Sequence, residues 1–303
     1  MTRIAVIGPG AIGCTVATWL AQDLQHTLTL QARSDLCDLQ AETPRGRLRA
    51  SPRVVRDAAD LVGSEWVLIA VKAYDAPTVA AALAPLVASD AVFAVLQNGV
   101  EHLERFQAHL PRERVLPVMV DIPAERQGPG RVKQHRMGRM VVPAGALGRR
   151  FVALFGHTPF DVTAAEDFRS EVWKKLCVNA AGALSAVLLR PAVIARHAGV
   201  AELTMALIRE VIAVGRAEGA VLPDLLARDI LEAQRTAPDA VKSMLADRQA
   251  GRPMEIDARN GVVVRLGRRH GIPTPVNEMV VALLEASTLD VTHEMQAAPS
   301  LRA

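Results

Sequence analysis

Three glycines near the N-terminus have the spacing of a loop that binds phosphate groups. Gly8, Gly10 and Gly13 follow an apolar run and precede a stretch with helical character. In such a loop the first glycine permits a tight turn, the second lets the backbone approach a pyrophosphate, and the third lets the helix pack on its strand. Backbone N–H groups at the start of the helix, at Ala11 and Ile12, would bind the phosphates. The spacing predicts dinucleotide binding; the alternative is a glycine turn that only connects a strand to a helix.

The residues after the second predicted strand indicate which dinucleotide binds. A site for NAD usually has Asp or Glu here, which binds the ribose 2′-hydroxyl. This sequence instead reads Gln31-Ala32-Arg33-Ser34, with an arginine and no acid. A guanidinium binds a phosphate through two hydrogen bonds, whereas a carboxylate repels it. Arg33 with Ser34 therefore predicts NADPH or NADP+ as the cofactor, the alternative being an ordinary exposed arginine.

Two polar residues follow long apolar runs in the first half of the chain. Lys72 follows Trp66–Val71, and Asn98 comes two residues after Ala91–Leu96. Such runs are typical of buried parallel strands, and ligands of open α/β sheets bind at the carboxyl ends of the strands. Lys72 and Asn98 are therefore expected to face the same crevice as the glycine loop. Their alternatives are a lysine at a strand end and an Asn-Gly turn.

Lys175 and Glu255 are the residue types that a carbonyl reduction requires. When a nicotinamide donates the hydride, the protein must supply a proton for the developing alkoxide and polar groups that fix the substrate. A partly buried lysine is a suitable acid because desolvation lowers a lysine pKa, and a nearby carboxylate keeps the ammonium oriented. Considered alone, Lys175 beside Lys174 is more typical of a solvated helix face, and Glu255 with Arg259 of an i, i+4 surface pair.

An alternation of strand and helix patterns must position these residues in the first half. A helical stretch is predicted over Ala76–Val87, and Gly138 is expected to turn a hairpin within Arg131–Val142. The predicted strands are Arg3–Ile7, Thr27–Leu30, Trp66–Val71, Ala91–Leu96, Val115–Ile122 and Phe160–Thr163, with weaker signals near Leu48 and at Val54-Val55. The pattern predicts an α/β domain over residues 1–166 and an all-α domain over residues 167–303.

The second half of the chain is almost wholly helical in pattern. The predicted helices are Asp167–Leu189, Ala201–Glu218, Pro223–Gln234, Pro238–Ala250, Glu255–His270 and Pro275–Ser287. The first of them carries an apolar stripe formed by Trp173, Leu176, Ala180, Leu184 and Val187. Lys175, Asn179 and Ala183 share a different face, which is expected to meet the cofactor cleft.

Composition argues against several classes of function. The formal charge is +3, but the basic residues are dispersed among 32 acids and aromatic residues make up only 3% of the chain. Base-stacking platforms are therefore lacking, and no nucleic-acid partner is expected. No apolar segment reaches the length of about eighteen residues that suggests a membrane span. The mild basic balance suits anionic substrates, although a surface without a role is equally plausible.

The cysteines and the C-terminal tail give further expectations. Cys14, Cys37 and Cys177 are odd in number and lack metal-ligand spacing, so no metal site is predicted and a reducing cytoplasm fits best. The tail after Asp290 has weak periodicity, which predicts disorder. The oligomeric state stays open, with a homodimer as one possibility.

Several separated motifs resemble those of ketopantoate reductases (2-dehydropantoate 2-reductases), in order and through essentially the whole chain. The motifs are Gly8-Pro9-Gly10-Ala11-Ile12-Gly13, Ala32-Arg33, Val71-Lys72-Ala73, Gln97-Asn98-Gly99, Trp173-Lys174-Lys175-Leu176-Cys177-Val178-Asn179, Ser243-Met244-Leu245-Ala246-Asp247 and Glu255-Ile256-Asp257. The resemblance implies a Rossmann-like N-terminal domain, an all-α C-terminal domain and NADPH-dependent reduction of ketopantoate to pantoate in coenzyme A synthesis.

The resemblance also implies roles for individual residues. Lys175 is matched to the general acid, and Glu255 to its partner, which also binds a substrate hydroxyl. Asn98 and Lys72 would lie against the nicotinamide ribose and the substrate. Asn179 would bind the substrate, and Ser243 would take its carboxylate.

One position departs from the family pattern. Four residues after Asn179 the family usually carries a second asparagine, and here that position is Ala183. The missing hydrogen bond predicts a preference for a more apolar 2-oxo acid over ketopantoate. Three interpretations follow: ketopantoate reductase, a relative that reduces another small 2-oxo acid or ketone, and a non-catalytic NADP-binding regulator. The last has no need of Lys175, Ser243 and Glu255 together.

Overall fold

The computed structural model describes residues 1–33 and 36–289, so Ser34 and the expectation for the tail after Asp290 lie outside the described residues. The strands, in chain order, are β1 (Thr2–Ile7), β2 (His26–Gln31), β3 (Leu39–Thr43), β4 (Gly46–Ala50), β5 (Arg53–Val55), β6 (Trp66–Ile69), β7 (Val92–Val95), β8 (Val115–Pro117), β9 (Met119–Asp121), β10 (Ala124–Gly128), β11 (Arg131–Gln134), β12 (Arg139–Pro143) and β13 (Asp161–Ala165).

The largest sheet is parallel and doubly wound. It has six strands in the order β5-β2-β1-β6-β7-β8, and every neighbouring pair is parallel. Its strand order reverses between β1 and β6, and in open α/β sheets ligands bind at the carboxyl ends of the strands beside such a reversal. This topology confirms the Rossmann-like expectation and places the ends of β1 and β6 at the candidate crevice.

The first strand explains why its sequence is a continuous apolar run. Ile4 and Val6 belong to the hydrophobic core on one face of the sheet, and Ala5 and Ile7 belong to the core on the other face. All four are at most 2% exposed. Because successive side chains of a strand point to opposite faces, a strand covered on both faces must be apolar throughout.

Two smaller sheets correct the hairpin prediction at Gly138. β11 lies in the sheet β10-β11-β3-β4, whereas β12 lies in the sheet β13-β12-β9, so the two strands do not pair. A β-carbon at Gly138 would lie 2.6 Å from Cγ1 of Ile122, and close packing therefore accounts for this glycine. The tight hairpin joins β10 to β11 instead, where Gly130 has a φ of +66°.

The predicted strand Val115–Ile122 is divided between two sheets. β8 pairs with β7 in the large sheet, and β9 pairs antiparallel with β12. β3 was not predicted. Only Leu39 and Ala41 of its side chains are buried, which leaves a weak apolar signal. β3 pairs with β4, which follows it closely but is mostly polar, and with β11, which lies about ninety residues later in the chain. Neither partner gives a local sequence signal for β3.

The helices, in chain order, are α1 (Ala11–Leu20), α2 (Ala76–Ala82), α3 (Ala146–Leu154), α4 (Phe168–Ala181), α5 (Ala183–Leu188), α6 (Ala198–Ala217), α7 (Leu226–Thr236), α8 (Ser243–Gln249), α9 (Val262–His270) and α10 (Pro275–Ala286). The predicted helix Asp167–Leu189 is interrupted at Gly182, where a β-carbon would lie 3.3 Å from the side chain of Lys242. Glu255 precedes a π-helical turn, Asp257–Gly261, which runs into α9.

The chain forms two compact units, one from Met1 to Lys175 and a second that begins at Leu176. The division falls inside α4, nine residues after the boundary expected from the sequence. It therefore assigns Lys175 to the first unit and Asn179 to the second. Among the described residues, none of the helices has the length and apolar character needed to cross a membrane.

Candidate functional site

The glycine loop has the shape that its spacing predicts. Gly8 follows β1 with a φ of +94°, and a β-carbon there would lie 2.7 Å from Cγ1 of Val71. A β-carbon at Gly13 would lie 2.0 Å from the carbonyl oxygen of Gly8, so both positions require glycine. At Gly10 an added β-carbon would have no neighbour within 4 Å among the described residues. The loop is therefore closed towards its own strands and open at Gly10.

The start of α1 offers backbone donors at this opening. Gly10 is the N-cap, and the first helical hydrogen bond runs from Cys14 N to Gly10 O at 3.0 Å. The N–H groups of Ala11, Ile12 and Gly13 therefore have no helical carbonyl to bind. The first turn contains no acidic residue. These groups suit the pyrophosphate of a dinucleotide, because donors and helix dipole both favour an anion.

Arg33 lies just after β2 and its side chain is 88% exposed. The guanidinium is 3.9 Å from Oδ2 of Asp75, an exposed ion pair of little strength. Its backbone is held more firmly, since Arg56 donates a hydrogen bond to Arg33 O at 2.9 Å. The guanidinium can therefore reach an anionic group beside the strand ends. The contribution predicted for Ser34 falls outside the described residues.

The segments that carry Lys72 and Asn98 are tied together by Gln97. Nε2 of Gln97 donates hydrogen bonds to the carbonyl oxygens of Val71 at 3.0 Å and Lys72 at 3.4 Å. The ends of β6 and β7 are thereby fixed to one another through the Gln97 amide. The structure thus brings Lys72 and Asn98 onto adjacent strand ends, as the sequence predicts.

His102, a buried histidine that was not predicted, supports the segment after β7 that carries Gln97 and Asn98. His102 is 2% exposed, and its Nε2 lies 2.9 Å from the carbonyl oxygen of Gln97. Burial, assisted by the charge of Arg105, lowers the pKa of His102 to about 4, so the ring is neutral near pH 7. Because a carbonyl oxygen only accepts, Nε2 carries the hydrogen. His102 therefore fixes the loop without adding a charge.

Lys175 in α4 forms an ion pair with a carboxylate that was not predicted. Its Nζ is 2.5 Å from Oδ1 of Asp121, the last residue of β9, and its side chain is 22% exposed. Oδ2 of Asp121 is 3.0 Å from Arg136. Burial acts to raise the pKa of Asp121, but the charges and hydrogen bonds of Lys175 and Arg136 outweigh it and hold the pKa below its usual value. Asp121 is therefore ionised near pH 7.

Lys174 shows that the two neighbouring lysines differ in environment. Its Nζ is 3.2 Å from Glu171, one turn earlier in α4, and its side chain is 41% exposed. This pair is the solvated helix face that was the alternative for Lys175. Lys175 is partly buried instead, as a proton donor requires.

In the second unit, side-chain contacts connect the segments that carry Asn179, Ser243 and Glu255. The tight packing of Gly182 on Lys242 joins the end of α4 to the residue before Ser243. Asn260, in the π-helical turn, donates a hydrogen bond from Nδ2 to the carbonyl oxygen of Ala180 at 3.4 Å. The three predicted residues therefore lie on segments that pack against one another within this unit.

Glu255 and Arg259 form the i, i+4 pair that the sequence suggested, but not at the surface. The distance from Oε2 of Glu255 to Nη2 of Arg259 is 3.5 Å, and both side chains are 2% exposed. Nη2 of Arg259 also donates a hydrogen bond to Oγ of Ser243 at 2.7 Å. The interpretation of this pair as a surface ion pair is wrong, and the contact of Arg259 with Ser243 is one that the sequence did not indicate. The pairing of Glu255 with Lys175 stays a prediction.

Ala183 does not share the environment of Lys175 and Asn179. It is the first residue of α5 and is 0% exposed, whereas Lys175 and Asn179 are partly exposed. The interruption at Gly182 separates Ala183 from the helix that carries them. Ala183 is thus buried, and the expectation that it shares with Lys175 and Asn179 a face that meets the cofactor cleft stays a prediction.

Comparison with known families decides which family the chain belongs to. Residues 4–147 match the model of ketopantoate reductase PanE/ApbA, and residues 167–288 match the model of the C-terminal part of ketopantoate reductase PanE/ApbA. The chain belongs to the ketopantoate reductase family. The two matches are separated by residues 148–166, just before α4. The C-terminal match contains Lys175, Asn179, Ser243 and Glu255.

Individual members of the ketopantoate reductase family are similar over their whole length. A 2-dehydropantoate 2-reductase from Caulobacter vibrioides is 50% identical over 290 residues, which cover 95% of this chain and 100% of the relative. A solved ketopantoate reductase from Ralstonia eutropha has a TM-score of 0.89 at 31% identity and covers 98% of this chain and 100% of its own. A dimeric ketopantoate reductase from Staphylococcus aureus has a TM-score of 0.82 at 25% identity, with coverage of 94% and 98%.

Proposed function

We propose that this chain reduces 2-dehydropantoate (ketopantoate) to pantoate with NADPH, as an oxidoreductase of pantothenate and coenzyme A synthesis. The observation that carries the proposal is the partly buried Lys175, held 2.5 Å from Asp121 in the compact unit that also contains the glycine loop. This arrangement suits a proton donor for a developing alkoxide. The similarity to 2-dehydropantoate 2-reductases supports the choice of substrate.

In the proposed reaction Lys175 donates a proton to the ketone oxygen. The nicotinamide, when bound, supplies the hydride that adds to the carbonyl carbon. As the carbonyl π bond breaks, the oxygen takes the proton from the Lys175 ammonium, which becomes a neutral amine and then regains a proton from solvent. Asp121 favours the ammonium form before the reaction, because an opposite charge at this distance stabilises it.

NADPH fits the residues of the first unit better than NADH. The open side of Gly10 and the N–H groups of Ala11, Ile12 and Gly13 would hold the pyrophosphate. The exposed guanidinium of Arg33 would bind the 2′-phosphate, which NADH lacks. Lys72 and Asn98, on adjacent strand ends tied by Gln97, would contact the ribose and the substrate.

The proposed substrate contacts of the second unit follow the family resemblance. Asn179 would hydrogen-bond the substrate, Ser243 would bind its carboxylate, and Glu255 would bind a hydroxyl and pair with Lys175. Ala183 is buried and presents no exposed apolar surface, which weakens the expectation, from apolar contact, of a more apolar substrate. The expectation from the missing hydrogen bond is tested below with a series of 2-oxo acids.

We also propose that the protein is cytoplasmic and that it forms a homodimer. Cys14, Cys37 and Cys177 are all free thiols in the described structure, as expected in a reducing compartment. The dimeric state of the relative from Staphylococcus aureus supports a homodimer. Light scattering at several protein concentrations measures the oligomeric state directly.

The proposed function is tested by measuring NADPH oxidation with ketopantoate and with a series of branched 2-oxo acids. We expect kcat/KM for ketopantoate of about 10⁵ M⁻¹s⁻¹ or more, which is usual for a physiological substrate, and a lower value for every other acid. A tenfold preference for another acid would assign that acid as the substrate. No oxidation with any of them, in protein that binds NADPH, would contradict a reductase function.

A further inference from the structure

An exposed serine, Ser243, is hydrogen-bonded to a buried arginine, Arg259, in the second unit. Ser243 is exposed, and Arg259 is 2% exposed. Their hydrogen bond, from Nη2 of Arg259 to Oγ of Ser243, is 2.7 Å long. The guanidinium is therefore hydrogen-bonded to the side chain of an exposed residue.

The guanidinium has donor capacity beyond its two described contacts. Besides Ser243 it faces Glu255, whose Oε2 is 3.5 Å from Nη2, longer than the roughly 2.7–2.9 Å of a close charged hydrogen bond. Its Nε is buried and makes no hydrogen bond with any described residue. A buried N–H without an acceptor is unfavourable, so an acceptor that reaches it is bound with a corresponding gain.

Stability alone is a weak explanation for a charge at this position. Replacing a buried ion pair by well-packed apolar residues is often neutral or stabilising. The side chains of Arg259 and Glu255 are both 2% exposed, and their contact of 3.5 Å lacks the close geometry that best offsets the desolvation of Arg259. Both residues also contact or belong to the set proposed to hold substrate, which favours a functional reason.

We propose that Arg259 and Ser243 together form the subsite for the carboxylate of the 2-oxo acid, with Arg259 as its source of positive charge. The inference rests on the proposed function and adds to it a residue that decides between anionic and neutral substrates. Oγ of Ser243 accepts the hydrogen bond from Arg259, so the hydroxyl hydrogen stays available to donate to a carboxylate oxygen. An arginine suits this position because its charge and planar donors persist at every pH at which the site works.

The test compares 2-dehydropantoate with its neutral primary amide, which keeps the ketone and the hydroxyl. In the unmodified protein the acid is expected to have the higher kcat/KM. Arg259→Met removes the charge at similar length and should raise KM for the acid about ten- to hundredfold, with a small change in kcat. KM for the amide should change less than threefold. Calorimetric titration of pantoate against pantoamide provides the same comparison without turnover.

Two further variants separate charge from structure. Arg259→Lys keeps the positive charge and should retain a preference for the acid over the amide. Arg265→Met is the matched control, because Arg265 pairs with Asp257 of the same π-helical turn but is 45% exposed. This control should leave the acid-to-amide ratio unchanged. Thermal unfolding and NADPH titration confirm that each variant is folded.

The outcomes distinguish this inference from the proposed function. Equal losses for acid and amide in folded Arg259→Met would overturn the carboxylate subsite and leave the reductase function standing. Pantoate binding that depends on Arg259, in a protein that oxidises no NADPH, would support the subsite and overturn the reductase function. If Arg259→Met does not fold, Ser243→Ala serves in its place because Ser243 is exposed. An unchanged acid-to-amide ratio in Ser243→Ala would then overturn the subsite.

Discussion

Two cation–carboxylate pairs, one in each compact unit, differ in distance, burial and chemistry. Lys175 and Asp121 are 2.5 Å apart, with side chains 22% and 31% exposed. Arg259 and Glu255 are 3.5 Å apart, and both are 2% exposed. Lysine can lose its proton in a protein, whereas arginine effectively cannot. The close, partly exposed pair therefore suits proton donation, and the buried pair suits the binding of a fixed negative charge.

The two pairs also differ in how many partners their charged groups have. Asp121 has two cation partners, because Lys175 contacts one of its oxygens and Arg136 the other. Arg259 has one carboxylate at long distance and an Nε without a described acceptor. The partners of Asp121 therefore keep its carboxylate ionised. Arg259 instead keeps a donor that could bind the carboxylate of a ligand.

Removing the titratable cation should have the largest effect. Lys175→Ala is expected to lower kcat by about 10² to 10⁴, because a general acid acts in the transition state. Lys175→Arg should be almost as inactive, since arginine keeps the charge but does not release its proton. Steady-state kinetics with ketopantoate measures both effects, and NADPH affinity should change little.

Lys174 supplies the control for this variant. Lys174→Ala removes a neighbouring lysine that pairs with Glu171 at the surface, so its effect on kcat should be small. If Lys174→Ala is the inactive variant, or if Lys175→Arg retains normal turnover, the assignment of proton donation to the Lys175–Asp121 pair is wrong.

A third cation–carboxylate pair, Arg33 with Asp75, extends the comparison to a more exposed position. Arg33→Ala should weaken NADPH binding about ten- to hundredfold, the range expected for the loss of a hydrogen bond to a charged group, and should leave NADH binding nearly unchanged. Asp75→Asn removes the carboxylate 3.9 Å from Arg33 and should tighten NADPH binding slightly. Calorimetric titration measures all of these affinities. Equal affinity of the unmodified protein for NADPH and NADH would refute the role of Arg33.

The smallest expected effect concerns stability and its dependence on pH. The pKa of Asp121 is lower in the folded protein than the value near 3.9 of an unfolded chain. Its ionised form therefore stabilises the fold, fully above about pH 4, and this contribution is lost as pH falls through the lower folded pKa. Asp121→Asn should reduce the free energy of unfolding by about 1 kcal/mol at pH 7, because Lys175 and Arg136 lose a partly exposed carboxylate.

Urea denaturation at pH 7, at pH 5 and below pH 4 tests this sign. The difference between the unmodified protein and Asp121→Asn should be the same at the first two values and smaller at the third. A difference that grows as the pH falls would show that the Asp121 carboxylate is destabilised by its surroundings. The comparison of a satisfied Lys175–Asp121 pair with an unsatisfied Arg259 would then fail.

Local patterns predicted much of the first unit because short-range sterics govern them. The glycine loop depends on three positions within six residues, and its turn is required by contacts with the adjacent strand end. Apolar runs predicted β1, β6 and β7 because both faces of the sheet are covered. The pattern failed at Val115–Ile122, where an unbroken run of strand-forming residues is shared between two sheets. No local signal records that change of partner.

The sequence by itself determined the glycine loop and the Rossmann-like and helical halves, and it supplied the residue types proposed for proton donation and substrate binding. Only the tertiary structure decided which charges meet. Asp121 lies 54 positions from Lys175, and Ser243 lies 16 positions from Arg259. The sequence did suggest the pair of Glu255 and Arg259 but not its burial. Helical spacing fixes which side chains are neighbours along one element, whereas burial and cross-element contacts depend on how distant segments pack.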